Sequence, residues 1–282
     1  MSLLQLKHIC KSFSGVYANE NINLSVEKGE IHALLGENGA GKTTTISLLS
    51  TLLLPTKGEI LIDGQKLTRN RPDLKRKISV ITQEYSMRQD MNMDEIMEYQ
   101  GRLYFMPRKE IKRRTEELLE FCDLIKFRKR TVRKLSGGMK RKLMVCRALL
   151  TDPEILLLDE PTAGMDALSR RQMWNLLRKL NGKNLTILLT THYMEEAQNL
   201  CSRVALMDHG KLEEVNTPAG LIDSLGNYTV DEFAGDETHS HYFHSREEAI
   251  AYLSGLSGQA SLRETTLEDV FVERAGRHLM PS

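Results

Sequence analysis

Short runs of alternating apolar and polar residues dominate the N-terminal part of the chain. Residues 3–9 and 22–26 alternate in this way, which predicts strands with one side in the core and the other in solvent. Residues 58–64 read as a further hairpin strand that ends in a turn. We therefore expect an antiparallel β subdomain at this end of the chain.

Nearly continuous apolar runs predict a second kind of strand. They lie at residues 78–82, 155–158 and 185–190, and such runs are typical of parallel strands covered on both faces. From about residue 94 to about residue 127 the pattern is helical and densely charged. The fold expected is α/β, with a helical subdomain at about residues 84–150.

The last part of the chain changes in composition after Thr217 and Pro218. Its signals are strands at 228–233 and 259–263, a capping box at Ser245 and a helix start at Thr266. The sequence therefore predicts a main domain at residues 1–217 and a small α+β C-terminal tail at residues 218–282.

Composition narrows the functions that the chain can have. The 282 residues are 40% hydrophobic and 27% charged, as in ordinary globular proteins, and the net charge of +1 gives no overall attraction to nucleic acid. No apolar run approaches the ~20 residues of a membrane helix, and the N-terminus does not resemble a signal peptide. The four scattered cysteines suit a reducing cytosol. A role in transport would require a separate membrane subunit.

A glycine-rich loop carries the first chemical signal. Residues 36–43 fit the pattern G-x-x-x-x-G-K-[ST] between an apolar run at 31–35 and a helical run. The loop amides would bind phosphates, Lys42 would add a positive charge, and the Thr43 hydroxyl could reach Mg²⁺. The alternative is a strand–helix turn with an incidental lysine. The candidate nucleotide-binding residues are Gly36, Glu37, Asn38, Gly39, Ala40, Gly41, Lys42, Thr43 and Thr44.

A second glycine-rich turn, Leu-Ser-Gly-Gly-Met, lies at residues 135–139. Ser136 is expected to cap a helix that begins with two glycines. Lys140, Arg141 and Lys142 then bring three positive charges to the positive end of that helix, which predicts a phosphate nearby. The alternative is a solvated basic helix start.

Over about residues 3–217 the chain resembles the ATP-binding subunits of ABC transporters. The phosphate loop, the signature turn, the Asp159-Glu160 pair and His192 follow one another in the order of that family. The resemblance implies a phosphate-loop ATPase core and a head-to-tail pair of subunits with two ATP between them. In that pair, Ser136, Gly137 and Gly138 would contact the γ-phosphate held by the other copy.

The resemblance also suggests roles at the catalytic edge. Asp159 and Glu160 follow a buried strand, where Asp159 can orient Mg²⁺ and Glu160 can act as general base. Gln83 would touch Mg²⁺ and the attacking water, and His192 would donate to the γ-phosphate. Phe13 would stack on adenine, with Tyr17 as the less favoured aromatic. The expected catalytic residues are Glu160, His192, Gln83 and Lys42, and the expected metal-binding residues are Thr43, Gln83 and Asp159.

Two further segments resemble one subgroup of the ABC transporter family. Residues 193–197 and 267–271 resemble those of ABC-2 type exporters. We therefore expect an ATPase that powers an exporter from the cytoplasmic face of the membrane, with ATP and Mg²⁺ as cofactors. Its partners would be a second ATP-binding subunit, as a homodimer, and a separate membrane permease. An importer subunit, or an ABC ATPase acting on ribosomes or DNA, is the alternative.

Two clusters, one of methionines and one of histidines, each have two possible roles. Methionines crowd the stretch after Gln83 and could form a docking groove for the permease or fill the core of the helical subdomain. These residues are Met87, Met91, Met93 and Met97. Histidines cluster in the tail at His239, His241 and His244, where an ordinary polar loop is favoured over a metal site.

Overall fold

The computed structural model describes residues 2–84, 87–235 and 237–279. The chain divides into a core unit, Met1–His192 with Ala205–Glu214, and a tail unit, Tyr193–Val204 with Val215–Ser282. The domain limit between residues 217 and 218 stays a prediction. The tail unit is discontinuous in sequence, because it also includes a segment that lies well before residue 217.

Both units contain strands and helices. The strands are β1 (Ser2–Phe13), β2 (Val16–Glu27), β3 (Ile31–Leu35), β4 (Lys57–Ile62), β5 (Gln65–Lys66), β6 (Ile78–Ile81), β7 (Ile155–Asp159), β8 (Thr186–Thr191), β9 (Arg203–Asp208), β10 (Lys211–Asn216), β11 (Tyr228–Ala234), β12 (Glu237–Phe243) and β13 (Gln259–Glu264). The helices are α1 (Lys42–Leu49), α2 (Pro72–Lys75), α3 (Met93–Leu103), α4 (Arg108–Phe121), α5 (Gly137–Leu149), α6 (Ala167–Asn181), α7 (Met194–Leu200), α8 (Pro218–Asp223), α9 (Arg246–Gly255) and α10 (Leu267–Leu279). Short 3-10 turns occupy Ile125–Phe127 and Val132–Lys134.

The antiparallel sheet has the strand order β2-β1-β4-β5. Leu4 pairs with Val26, and Leu6 pairs with Leu24, and all four side chains are buried. The alternation of apolar and polar residues thus places one side of β1 and β2 in the core. Both strands are longer than the sequence pattern predicts, and shifts in their register mark irregular pairing beyond Leu6.

The central sheet has the order β10-β9-β3-β8-β7-β6. Strand β3 runs parallel to β8, β8 to β7, and β7 to β6, and all residues of β3, β7 and β8 are buried. Helix α1 packs against β7, and α5 packs against β6. In the register of this sheet Leu35 pairs with Thr191 and Asp159 pairs with Thr190, so the carboxyl ends of these strands share one edge. The expected α/β class is confirmed.

The helical subdomain consists of α3, α4 and α5, which pack against one another. A capping box between Asn92 and Glu95 starts α3. Met87, Met93 and Met97 are buried inside the subdomain, and Met91 is half-buried. The interpretation of these methionines as an exposed docking groove is therefore wrong for the three buried side chains, which fill the interior.

The tail unit contains a three-stranded antiparallel sheet of order β12-β11-β13 and the helices α7 to α10. Arg263 on β13 forms ion pairs with Asp231 on β11 and Asp269 on α10, both at 2.7 Å. The side chain of Gln198 on α7 accepts a hydrogen bond of 3.0 Å from the backbone of Leu267. The two subgroup segments of the sequence thus meet at the α7–α10 contact.

The histidine cluster lies on β12 and in the loop after it. His239 approaches Glu237 at 3.5 Å, and His241 approaches Glu232 at 3.5 Å. Within the described residues no group of three or more potential ligands is arranged to hold a metal ion. In the same ranges, every helix is too short or too polar to cross a bilayer.

Candidate nucleotide-binding and hydrolysis site

The phosphate loop connects β3 to α1. Gly41 has φ of 102° and Gly39 has φ of 89°, a region that favours glycine. A Cβ atom at Gly41 would also overlap the backbone oxygen of Ala18, and one at Gly36 would overlap that of Met207. Around Gly39 the space is open instead. Conformation and close packing therefore explain why this loop carries glycines.

Lys42 holds the loop from inside. Its side chain is only 5% exposed, and its Nζ donates to the carbonyl oxygens of Gly36 at 2.7 Å and Glu37 at 2.9 Å. Burial lowers the pKa of Lys42, and the charges of Glu160, Asp159 and Glu37 oppose that shift. The ammonium group thus lies next to the loop carbonyls and near three carboxylates.

A cavity of about 500 Å³ lies over the loop. Loop residues line one part of it, and residues from the ends of β6, β7 and β8 line another. Its lining residues are Ala18, Asn38, Gly39, Gly41, Lys42, Thr43, Thr44, Gln83, Glu160, Ala163 and His192. A lysine, loop glycines with open space and a threonine hydroxyl suit the phosphates of a nucleotide.

Asp159 ends β7 and is 5% exposed. Its Oδ1 accepts hydrogen bonds from Thr190 Oγ1 at 2.6 Å and from Thr43 Oγ1 at 3.2 Å. A hydroxyl and a carboxylate at this distance form the kind of oxygen donor set that Mg²⁺ prefers. The residues present therefore fit a magnesium ion beside the phosphate loop.

Glu160 has a left-handed backbone conformation, with φ of 47°. Such a conformation costs roughly 1–2 kcal/mol in a residue that has a Cβ atom. The Glu160 N–H donates to Thr190 Oγ1 at 3.0 Å and lies 3.2 Å from the Thr190 backbone oxygen. Sequence reasoning missed Thr190, whose hydroxyl joins Asp159 to the backbone of Glu160.

The Glu160 carboxylate faces His192. Glu160 Oε1 lies 3.0 Å from His192 Nδ1, and both side chains are partly accessible from the cavity. An ionised carboxylate can only accept, so this contact requires a hydrogen on Nδ1 of His192. Gln83 follows β6 and lines the same cavity.

Phe13 lies apart from this group of residues. It is at the end of β1, beside the hairpin turn, and is 47% exposed, with Lys11 Nζ 5.0 Å from the ring centroid. Tyr17, the less favoured aromatic, is also exposed.

The signature turn begins α5 as expected, because the Ser136 hydroxyl accepts a hydrogen bond of 3.3 Å from Met139 N. Arg141 differs from the expectation. It is buried, and it donates to backbone carbonyl oxygens of the core unit. Lys142 lies 3.7 Å from an Asp123 oxygen. The prediction that a phosphate balances this basic turn is therefore wrong for Arg141, whose charge already faces carbonyl dipoles.

A model of the family described as "ABC transporter" matches residues 19–163. The chain belongs to the ABC transporter family. It is 35% identical, over 99% of both chains, to the Nod factor export ATP-binding protein I of Cupriavidus metallidurans. It is also 35% identical to the linearmycin resistance ATP-binding protein LnrL of Bacillus subtilis, over 81% of this chain and 73% of that one.

Solved structures of ABC cassettes have the same fold. The chain aligns with an ATP-binding subunit of an ABC transporter at a TM-score of 0.73 and 24% identity, covering 97% of this chain and 100% of that one. It aligns with the dimeric post-hydrolysis cassette MJ0796, bound to ADP and Pi, at a TM-score of 0.67 and 28% identity, covering 76% and 98%. This ABC chain is therefore an ATP-binding and ATP-hydrolysing subunit.

Proposed function

We propose that this chain is the ATPase subunit of an ABC-2 type exporter and works as a pair of copies with a separate membrane permease. The observation that carries the proposal is the similarity to an export ATP-binding protein over 99% of both chains, which includes the tail unit. A match to the ATPase core alone would leave the direction of transport open. The linearmycin resistance protein LnrL, similar over 81% of this chain, supports the same interpretation.

The phosphate loop would hold the triphosphate of ATP. Lys42 lines the cavity, and Thr43, Asp159 and Gln83 are the residues that would hold a magnesium ion. When bound, Mg²⁺ supplies positive charge to the phosphate oxygens. Phe13 is the aromatic side chain proposed to stack on adenine, because it is exposed at the hairpin tip.

Glu160 is the proposed general base, which accepts a proton from the attacking water. His192 Nδ1 would orient the Glu160 carboxylate through the 3.0 Å contact, and the imidazolium form of His192 would also donate from Nε2 toward the γ-phosphate. Ser136, Gly137 and Gly138 of a second copy would complete the site, since the cavity walls of one copy do not include them. ATP would therefore draw two copies together, and hydrolysis would release them.

The docking surface for the permease is proposed at a second cavity of about 510 Å³ in the core unit. Large apolar side chains line it, including Leu52, Leu103 and Phe105, and Phe105 is 90% exposed. Exposed apolar groups of this size are typical of protein interfaces. Thr82 also lines the cavity and directly precedes Gln83, so an apolar segment of the permease docked here would lie one residue from the catalytic site.

Substitution of Glu160 by Gln tests the hydrolytic assignment. We expect Glu160→Gln to bind ATP and to accumulate an ATP-dependent dimer in light scattering, while turnover falls by about 10²–10⁴-fold, the contribution of a general base. Glu117→Gln is the matched control, because Glu117 lies on α4 and pairs with Arg113 instead. Hydrolysis at the wild-type rate in Glu160→Gln would contradict the proposed mechanism. Isolation of the membrane protein that co-purifies with the chain tests the exporter assignment.

A further inference from the structure

Arg141 is a buried charge of the core unit that no step above uses. It is the fifth residue of α5 and is 3% exposed. Its Nε donates to Pro161 O at 2.8 Å, one terminal nitrogen donates to Thr82 O at 2.8 Å, and the other donates to Glu160 O at 2.6 Å. Longer contacts of 3.3 Å reach the carbonyl oxygens of Gln83 and Asp159.

These carbonyl groups come from two loops that meet the nucleotide cavity. Thr82 and Gln83 follow β6, whereas Asp159, Glu160 and Pro161 lie at the end of β7. A guanidinium group has five N–H donors in a planar fork, so one side chain can hold both loops at once. An ammonium group has a compact charge without that fork and cannot span the two loops in the same way.

The arginine therefore joins three parts of the catalytic apparatus. Its backbone belongs to the helix that starts at Ser136, and its side chain holds the backbone of both Gln83 and Glu160. Glu160 needs such support, because its left-handed conformation is unfavourable for a non-glycine residue.

Backbone hydrogen bonds connect the same regions by a second route. The N–H of Val132 donates to Met91 O at 2.9 Å, and the N–H of Arg133 donates to Gln89 O at 3.0 Å. The segment after Gln83 is thus paired with the segment before Ser136. The side chain of Arg141 connects the signature helix to the Gln83 and Glu160 loops at a separate point. A shift of the signature turn would therefore also move these two loops.

We propose that Arg141 is a positioning residue for ATP hydrolysis. Its guanidinium fork holds the Glu160 and Gln83 loops in place relative to the signature helix, and turnover depends on the shape of that fork as well as on its charge. The inference rests on the proposed role of Glu160 as general base. It predicts that loss of Arg141 affects hydrolysis far more than nucleotide binding, because the phosphate loop does not contact this side chain through any of the hydrogen bonds described above.

The test compares Arg141→Lys and Arg141→Ala of the full chain with the same two substitutions at Arg114. Arg114 is a matched control, because its guanidinium also donates to backbone carbonyls, those of Leu149 at 2.8 Å and Leu150 at 2.9 Å, away from the cavity. We expect both Arg141 variants to keep the thermal shift caused by MgATP and to lose about 100-fold in turnover, the effect of displacing a catalytic group by about 1 Å. The Arg114 variants should lose stability but keep turnover.

Chemical rescue distinguishes positioning from general support of the fold. The Ala variant leaves a space beside the backbone oxygens of Glu160 and Gln83, and the side chains of both residues line the nucleotide cavity, so added guanidinium is the probe that replaces the missing fork. We expect millimolar guanidinium to restore part of the turnover of Arg141→Ala, whereas methylammonium and urea, which lack either the fork or the charge, should not.

Several results would overturn the inference. Normal turnover in Arg141→Lys would show that the fork is not needed. Equal losses of turnover at Arg141 and Arg114, failure of both Arg141 variants to fold, or the absence of rescue by guanidinium would assign Arg141 to general stability. Normal turnover in Glu160→Gln would instead refute the base assignment by itself. The two failures are therefore separable.

Discussion

Substitution of Thr190 tests how Asp159 and Glu160 are positioned at the end of β7. It is fully buried in β8, and its hydroxyl donates to Asp159 at 2.6 Å and accepts from the Glu160 N–H at 3.0 Å. The substitution Thr190→Val replaces that hydroxyl by a methyl group of similar size. It removes the two hydrogen bonds while keeping the shape of the side chain.

The expected loss of stability follows from these contacts. A hydrogen bond to a charged group is worth about 1.5–3 kcal/mol. Asp159 keeps the Thr43 hydroxyl at 3.2 Å, and the Glu160 N–H keeps the Thr190 carbonyl at 3.2 Å, so neither group loses every partner. We therefore expect a destabilisation near the middle of that range, about 2 kcal/mol. In a domain of 150–250 residues this lowers the melting temperature by roughly 4–8 °C.

Thr190→Ser is the matched control, because it keeps the hydroxyl and removes only a methyl group, at a cost of about 1 kcal/mol. Thermal melts and ATPase rates of both variants provide the measurement. The Val variant should be the less stable and should hydrolyse ATP more slowly, while the Ser variant should keep normal turnover. If Ser is as harmful as Val, or if Val melts at the wild-type temperature, then the hydroxyl does not organise this edge.

Three further predictions concern other parts of the molecule. Lys42→Ala should abolish the rise in melting temperature that MgATP causes, since the charge at the phosphates is lost, and an undiminished rise would contradict the phosphate-loop assignment. Burial alone would raise the pKa of Asp269, but hydrogen bonds from Arg263 and Thr266 outweigh it and lower the pKa. The stability that results is present at neutral pH and is lost as the pH falls below about 4. Thermal melts of wild type and Asp269→Asn should therefore differ near neutrality and converge in acid, and an equal difference at both pH values would refute the ion pair. Phe105→Glu should leave folding and basal turnover intact but weaken capture of the co-purifying membrane protein, whereas Met93→Glu should fail to fold, because it buries an unpaired charge. Capture of the membrane protein at wild-type affinity by Phe105→Glu would exclude the proposed docking surface.

The architecture of the core unit could be predicted because its signals are local. Continuous apolar runs identify β7 and β8 as strands covered on both faces, and the phosphate-loop pattern identifies the β3–α1 connection. Strand β12 was missed because its polar sequence has no apolar alternation to distinguish it from a loop. The roles assigned to the site residues by resemblance, such as the general base Glu160, stay predictions.

The positions of Thr190 and Arg141 could not be predicted for a different reason. The function of Thr190 depends on its pairing with Asp159, a residue of another strand that lies 31 positions away in the chain, and no local pattern specifies that pairing. Arg141 was grouped with its basic neighbours because charge was considered along the sequence. Helical geometry separates them instead, so that Arg141 lies inside while Lys140 stays partly exposed.

The hydrogen bond from Leu267 to Gln198 joins residues 69 positions apart, and it has a consequence for biosynthesis. Ala197 and Leu200 of α7 are buried, and α7 packs against α10, which is synthesised later than α7. At about 5–20 residues per second, a ribosome reaches Leu267 roughly 3–14 s after Gln198. A nascent chain that has not yet reached α10 therefore lacks one of the elements that pack against α7, so this contact forms only late in synthesis.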